Sequence, residues 1–295
     1  MNSPNDSVGR IPWWVGLAAF SFLSLLLILF SMIVTTVLVA TGAPVELIGQ
    51  LASPPGLAIQ VVAVSTLFSS VALLVPWIAR IPVKTWIRLT PVSPSVFSVS
   101  CFGVLGLGFL VDEVTFVLHS LDPILFATDG LDLFNQLFLD ATPLLFLILT
   151  AAITLGPGIG EELLFRGLLL RSFLSGMAPW LALLFSSILF GAIHLNILQG
   201  VGAGLIGIYL GFVALRTGSI LPAMAAHALN NFICALFARF GDDMGGVWQN
   251  GHPLPVVGIA LIVFIVALFS LLRCTRRPAR ASMPNSLPVE EIDAT

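Results

Sequence analysis

The chain has 295 residues, 58% of them hydrophobic and 9% charged, with a mean hydropathy of +1.06 and a net charge of −3. A soluble domain carries about 25% charged residues, so this composition cannot cover a water-facing surface and assigns an integral membrane protein. The charge balance excludes a basic nucleic-acid face, and the scattered Cys101, Cys234 and Cys274 form neither a CxxC nor a metal spacing.

Taken in order, residues 1–13 are a short N-terminus containing Arg10, followed by a run from Ile11 to Val45 without a charge. A secretory apolar region is roughly 7–15 residues long, so this one reads as a retained first span. A helix needs about 20 apolar residues to cross the hydrocarbon core. That length predicts an all-α polytopic fold of eight spans, about 14–40, 57–79, 95–112, 143–165, 180–199, 202–216, 219–239 and 254–273. Spans one to three and a long acidic loop make up 14–142. In that loop, about 113–142, a surface-lying helix is predicted near Leu131–Leu139. Residues 143–240 hold spans four to seven, 241–273 an outer loop and the eighth span, and 274–295 a polar tail of disordered composition.

Lys and Arg concentrate in cytoplasmic loops. With both termini inside, Arg10, Arg80, Lys84, Arg88, Arg166, Arg171, Arg216, Arg273, Arg276, Arg277 and Arg280 fall on the inner side and only Arg239 outside. The compact loops fit a bacterial plasma membrane. Residues 80–89, with Trp86 among basic residues, read as an interfacial anchor. Gly202-Ala-Gly204-Leu-Ile-Gly207 is formally a GxGxxG, but it lies inside an apolar helix and follows no strand. Gly207-xxx-Gly211 reads instead as a small-residue face for helix packing.

Ionisable and strongly polar side chains gather in spans four, five and seven: Glu161, Glu162, Arg166, His194, Asn196, His227, Asn230 and Asn231. Charges in a bilayer are expensive and mark function by default. Residues four apart share a helix face. Glu162 can therefore pair with Arg166, leaving Glu161 without an intrahelical partner and free to hold a water. Phe190 can wall off His194. His227 and Asn231 offer hydrogen-bond donors on one face, with Asn230 as the rival. These depths agree only if the fourth helix runs to about Leu174, with a kink expected at Gly156-Pro157-Gly158.

The three motifs, Glu161-Glu162-x-x-x-Arg166, Phe190-x-x-x-His194 and His227-x-x-x-Asn231, resemble those of the CPBP (Abi/CAAX protease) intramembrane protease family, which includes the type II CAAX prenyl endopeptidases. The resemblance covers about 143–240. It implies an eight-helix fold with a cavity toward the cytosol and hydrolysis of a peptide bond in a membrane-anchored or lipid-modified substrate. It further implies that Glu161 and His194 activate the attacking water, that His227 and Asn231 stabilise the oxyanion, and that Glu162 and Arg166 are mainly structural. The expected chemistry needs no cofactor and no metal. The residues themselves leave open a zinc site on Glu161, His194 and His227, a proton-coupled transporter and a non-proteolytic immunity or scaffold protein. The expected partners are the bilayer and the substrate, with no nucleic acid; oligomeric state is not legible.

Overall fold

The computed structural model describes residues 10–41, 53–241 and 251–275. The expected tail and most of the N-terminus lie outside these residues. The described chain is helical, and seven of its helices are long and apolar enough to cross a membrane. The protein is an integral membrane protein of all-α architecture.

The helices are α1 (Trp13–Ala40), α2 (Pro54–Ile78), the short α3 (Val83–Ile87), α4 (Pro94–Leu121) and α5 (Asp129–Leu139). There follow α6 (Pro143–Phe173), α7 (Pro179–Ala192), α8 (Ile197–Thr217), α9 (Leu221–Phe240) and α10 (Leu254–Cys274). The first turn of a helix leaves N–H groups without partners, which is costly in lipid. Proline carries no such donor, and it stands at the first or second position of α2, α4, α6, α7, α9 and α10. Ser53 and Thr142 add side-chain caps, accepting from Gly56 N and Leu145 N.

Three boundaries differ from the sequence expectation. The helix expected over 95–112 continues to Leu121, so Asp112 and Glu113 are helical and the acidic loop is shorter. The surface helix of that loop is present as α5. The span expected over 180–199 is the 14-residue α7, which stops at Ala192. There the chain turns: His194 N bonds to Gly191 O, Leu195 takes a left-handed φ of 55°, and Asn196 caps α8 by accepting from Gln199 N. Hydropathy cannot register this turn, because Ile193, Leu195 and Ile197 keep the run apolar. The third difference concerns α6. It reaches Phe173 as the depth argument required, and it is helical through Gly156-Pro157-Gly158. Its change of helix type, to a π-helical segment over Leu163–Leu169, comes after the glutamates.

Every residue of that π segment is buried. Phe165 at its centre meets Phe20 of α1, Phe68 of α2 and Phe190 of α7 edge-on, at 5.7, 6.4 and 5.1 Å between ring centroids. Ser186 of α7 donates to the Phe165 carbonyl. Around this centre, α2 and α9 pack on α6, α7 lies against α8, and α10 covers α4. The α2–α6 approach is close because a Cβ at Gly160 would lie 2.5 Å from the Ser65 carbonyl oxygen. The residue preceding the glutamate pair is thereby held backbone-to-backbone. One end of the bundle gathers Arg80, Lys84, Arg88, Arg171 and Arg216, with Arg171 over the Trp86 ring at 5.3 Å. At the acidic end Arg239 donates to the last carbonyl of α5, Leu139 O, at 2.6 Å, where a cation suits the helix dipole.

Candidate functional site

Glu161 and Glu162 end the regular part of α6, and Arg166 lies within the π segment. Glu162 is fully buried and Arg166 is 1% exposed. Their pairing along one helix face is present: Arg166 Nη1 donates to Glu162 Oε1 at 2.5 Å. The guanidinium is held from two further directions. Its Nη2 donates to the Gly207 carbonyl of α8 at 2.9 Å, and the Phe190 ring lies 4.5 Å from its central carbon. A Cβ at Gly207 would come within 3.0 Å of Phe190 and 3.3 Å of Arg166. The small residue therefore opens the place in which the guanidinium lies.

His227 of α9 completes this cluster. It is buried, and its Nδ1 lies 2.9 Å from Glu162 Oε1. A carboxylate only accepts, so Nδ1 carries the proton in that bond and the other nitrogen, Nε2, is turned away from Glu162. Nε2 lies 3.8 Å from Glu161 Oε2. Glu161 is the more open of the two acids, with 15% of its side chain exposed.

Phe190 links the remaining histidine to the group. Its ring meets His194 at 5.5 Å and His227 at 5.7 Å, both edge-on. His194 sits in the turn after α7, half-buried, and its Nδ1 donates to the Phe190 carbonyl at 3.0 Å. That bond satisfies an open carbonyl at a helix end and leaves Nε2 of His194 as an acceptor.

Asn231 is brought to α6, one turn along α9 from His227. Its Nδ2 donates to the Ile153 carbonyl at 3.0 Å. The reason is local: Ile153 would ordinarily accept from the residue four ahead, which is Pro157 and has no N–H. Asn231 supplies the missing donor and keeps a second amide hydrogen. Asn230, its rival, faces α4, where its Oδ1 lies by Gly108 and its amide by Cys234 Sγ. Asn196 is a helix cap and a tether, donating to Ala127 O at 3.1 Å.

Thus Glu161, Glu162, Arg166, Phe190 and His227 form one contiguous group, His194 joins through Phe190, and Asn231 flanks it through α6. Among the described residues, no three His, Cys, Asp or Glu side chains gather in a way that could hold a metal ion. A second His–carboxylate contact, between His252 and Asp112, is not legible in the sequence because its members lie 140 positions apart. A cavity of about 560 Å³ lies between α7 and α8, along Ser187, Gly191, Gly200 and Gly204. It opens beside the His194 turn and not onto the glutamates.

Compared with known families, residues 143–233 match the family model described as type II CAAX prenyl endopeptidase Rce1-like. The matched segment begins at the first residue of α6 and ends two residues beyond Asn231, so it contains all three motifs. No curated protein matches the chain, and no solved structure matches it.

Proposed function

We propose, on the premise that residues 143–233 are an Rce1-like domain, that the protein is an intramembrane endopeptidase acting on a membrane-anchored or lipid-modified peptide. The observation that carries this reading is the partition of the two glutamates. Glu162 is neutralised by Arg166 and engaged by His227, whereas Glu161 stays partly open with an imidazole nitrogen 3.8 Å away. A carboxylate free to accept a proton, beside a second proton-transfer group, is the requirement for activating water.

In this reading a water is held at Glu161. It attacks the substrate carbonyl carbon and loses a proton to Glu161, while the carbonyl oxygen becomes the oxyanion. His194, whose Nε2 is left as an acceptor by its bond to Phe190 O, assists in orienting that water. The second amide hydrogen of Asn231 and an Nε2–H of His227 are the donors to the oxyanion. Because Nδ1 of His227 is committed to Glu162, His227 can donate from Nε2 only when both ring nitrogens are protonated. The site lies in α6, α7 and α9, within the apolar bundle, which fits a substrate that diffuses laterally in the bilayer. The basic end, with Arg80, Lys84, Arg88, Arg171 and Arg216, is the cytoplasmic one in this proposal, and the membrane is a bacterial plasma membrane.

The test is cleavage of a library of membrane-anchored peptides by purified protein in liposomes. Cleavage that is abolished in Glu161→Ala and His194→Ala and survives chelators is the expected result. Loss to a chelator with restoration by zinc would replace the metal-free mechanism with one on Glu161, His194 and His227. Undiminished cleavage by Glu161→Ala would sink both.

A further inference from the structure

The Glu162 carboxylate does two things with a single oxygen. Oε1 accepts from Arg166 Nη1 at 2.5 Å and from His227 Nδ1 at 2.9 Å, while Oε2 is buried with no hydrogen-bond partner. Arg166 cannot drift from this arrangement, because Gly207 O and the Phe190 ring hold its other faces. Glu162 is therefore an anchored acceptor, and the ring it grips must present Nε2 to Glu161. An Asp or Glu on the far nitrogen of a reacting histidine sets its tautomer and orientation in the same way in hydrolytic triads.

Charge points to the same pair. Glu161 and Glu162 face Arg166 within α6, and the cluster is one positive charge short of neutrality when His227 is uncharged. His194 lies beyond Phe190, with its Nδ1 proton committed to a backbone carbonyl. Asp112 of α4 belongs to the Asn230 face of α9. Net charge in hydrocarbon is costly. A proton taken up at Nε2 during the reaction balances it, and Glu162 lies against the other nitrogen of the same ring.

We propose that Glu162 is a positioning residue for peptide hydrolysis: it fixes His227 as the Nδ1–H form, aims Nε2 at Glu161, and by its charge stabilises the imidazolium that forms when Nε2 takes a proton. This rests on the proteolytic reading above. The proton then has a defined course. Water gives one proton to Glu161 as its oxygen bonds to the carbonyl carbon. Glu161 passes that proton to Nε2, and when the C–N bond breaks its electron pair goes to nitrogen and the Nε2 proton completes the leaving amine. Glu161 and His227 are then as they began, and the new carboxyl group gives its proton to water.

The unpartnered Oε2 makes the test clean. In Glu162→Gln the amide oxygen can keep both hydrogen bonds and the NH₂ can occupy the place of Oε2, so geometry is retained and only charge is lost. Protein labelled with ¹⁵N-histidine is reconstituted in liposomes, and the His227 signals are identified by their loss in His227→Gln. The wild type and Glu162→Gln are expected to show a protonated Nδ1, and Glu162→Ala to lose that preference. With a cleavable membrane-anchored peptide, Glu162→Gln is expected to lower kcat by about tenfold or more with KM little changed. Either an unprotonated Nδ1 in the wild type or a wild-type kcat in Glu162→Gln overturns the proposal. Failure of proteolysis itself gives a different signature: Glu161→Ala cleaves like the wild type, while the ¹⁵N spectra still report whether Glu162 holds His227.

Discussion

Two clusters among the described residues pair a histidine with two carboxylates, and they differ in how their members are engaged. In the bundle, Glu161, Glu162 and His227 come from α6 and α9 and enclose Arg166. At the acidic end, His252 precedes α10: its backbone N donates to Glu113 Oε2 at 2.9 Å, its Nε2 lies 3.7 Å from Asp112 Oδ2, and its ring meets Phe109 at 5.2 Å. The acidic-end group ties the start of α10 to α4. Asp112 there retains 27% exposure of its side chain, so water can share in solvating it. The deep cluster has almost no such help and carries its own cation. Arg166 neutralises one of the two acids at that depth, and Glu161 is the one left unspoken for. A latch needs every member engaged, whereas a reactive group needs one member held back.

Breaking the deep cluster at Glu161 has the largest expected effect. Glu161→Gln is expected to reduce cleavage of a membrane-anchored peptide by about 10³-fold, measured as initial rate per folded molecule, with thermal unfolding in detergent near that of the wild type. The cation comes next. Arg166→Ala leaves the buried Glu162 without its guanidinium and is expected to destabilise the fold by about 3–5 kcal/mol, seen as a large drop in membrane yield or unfolding temperature. A wild-type melting curve for this variant would mean that the brace is dispensable. Asn231→Ala restores the orphan carbonyl that Pro157 creates, and a loss of about 1–3 kcal/mol is expected. Here the double variant Pro157→Ala with Asn231→Ala sharpens the point. If the carbonyl is the cause, the backbone N–H at position 157 recovers part of the stability.

The smallest effect is expected at the latch. His252→Ala is expected to lower stability by about 0.5–1.5 kcal/mol while the cleavage rate per folded molecule stays unchanged. A large rate loss in that variant would erase the distinction between the two clusters.

How much of this could be read from the chain alone depends on the distance over which each feature is decided. The Glu162–Arg166 pair is a contact within one helix face, so spacing of four residues is sufficient to foresee it. The surface helix of the acidic loop was likewise legible, expected near Leu131–Leu139 and found as Asp129–Leu139. The end of α7 carried a readable signal that hydropathy masks. Asn196 followed three positions later by Gln199 is a helix-start pattern inside an apolar run. The orphan carbonyl was readable too, since Pro157 stands four residues after Ile153, although nothing local says which side chain repairs it.

The amino-acid sequence by itself determined the class of protein, the helices and the identity of the polar residues, because apolar length and helical spacing are local properties. Tertiary structure alone decided how those residues divide their hydrogen bonds. Glu162 and His227 are 65 positions apart, and only the packing of α9 on α6 gives one carboxylate oxygen to both Arg166 and His227. The same packing turns Asn231 toward α6 and Asn230 toward α4, a choice that one residue of helical rotation makes and that no spacing rule contains. Burial then supplies the physical reason for the arrangement: in hydrocarbon each charge must find its partner inside the protein, and the partners come from helices the sequence keeps far apart.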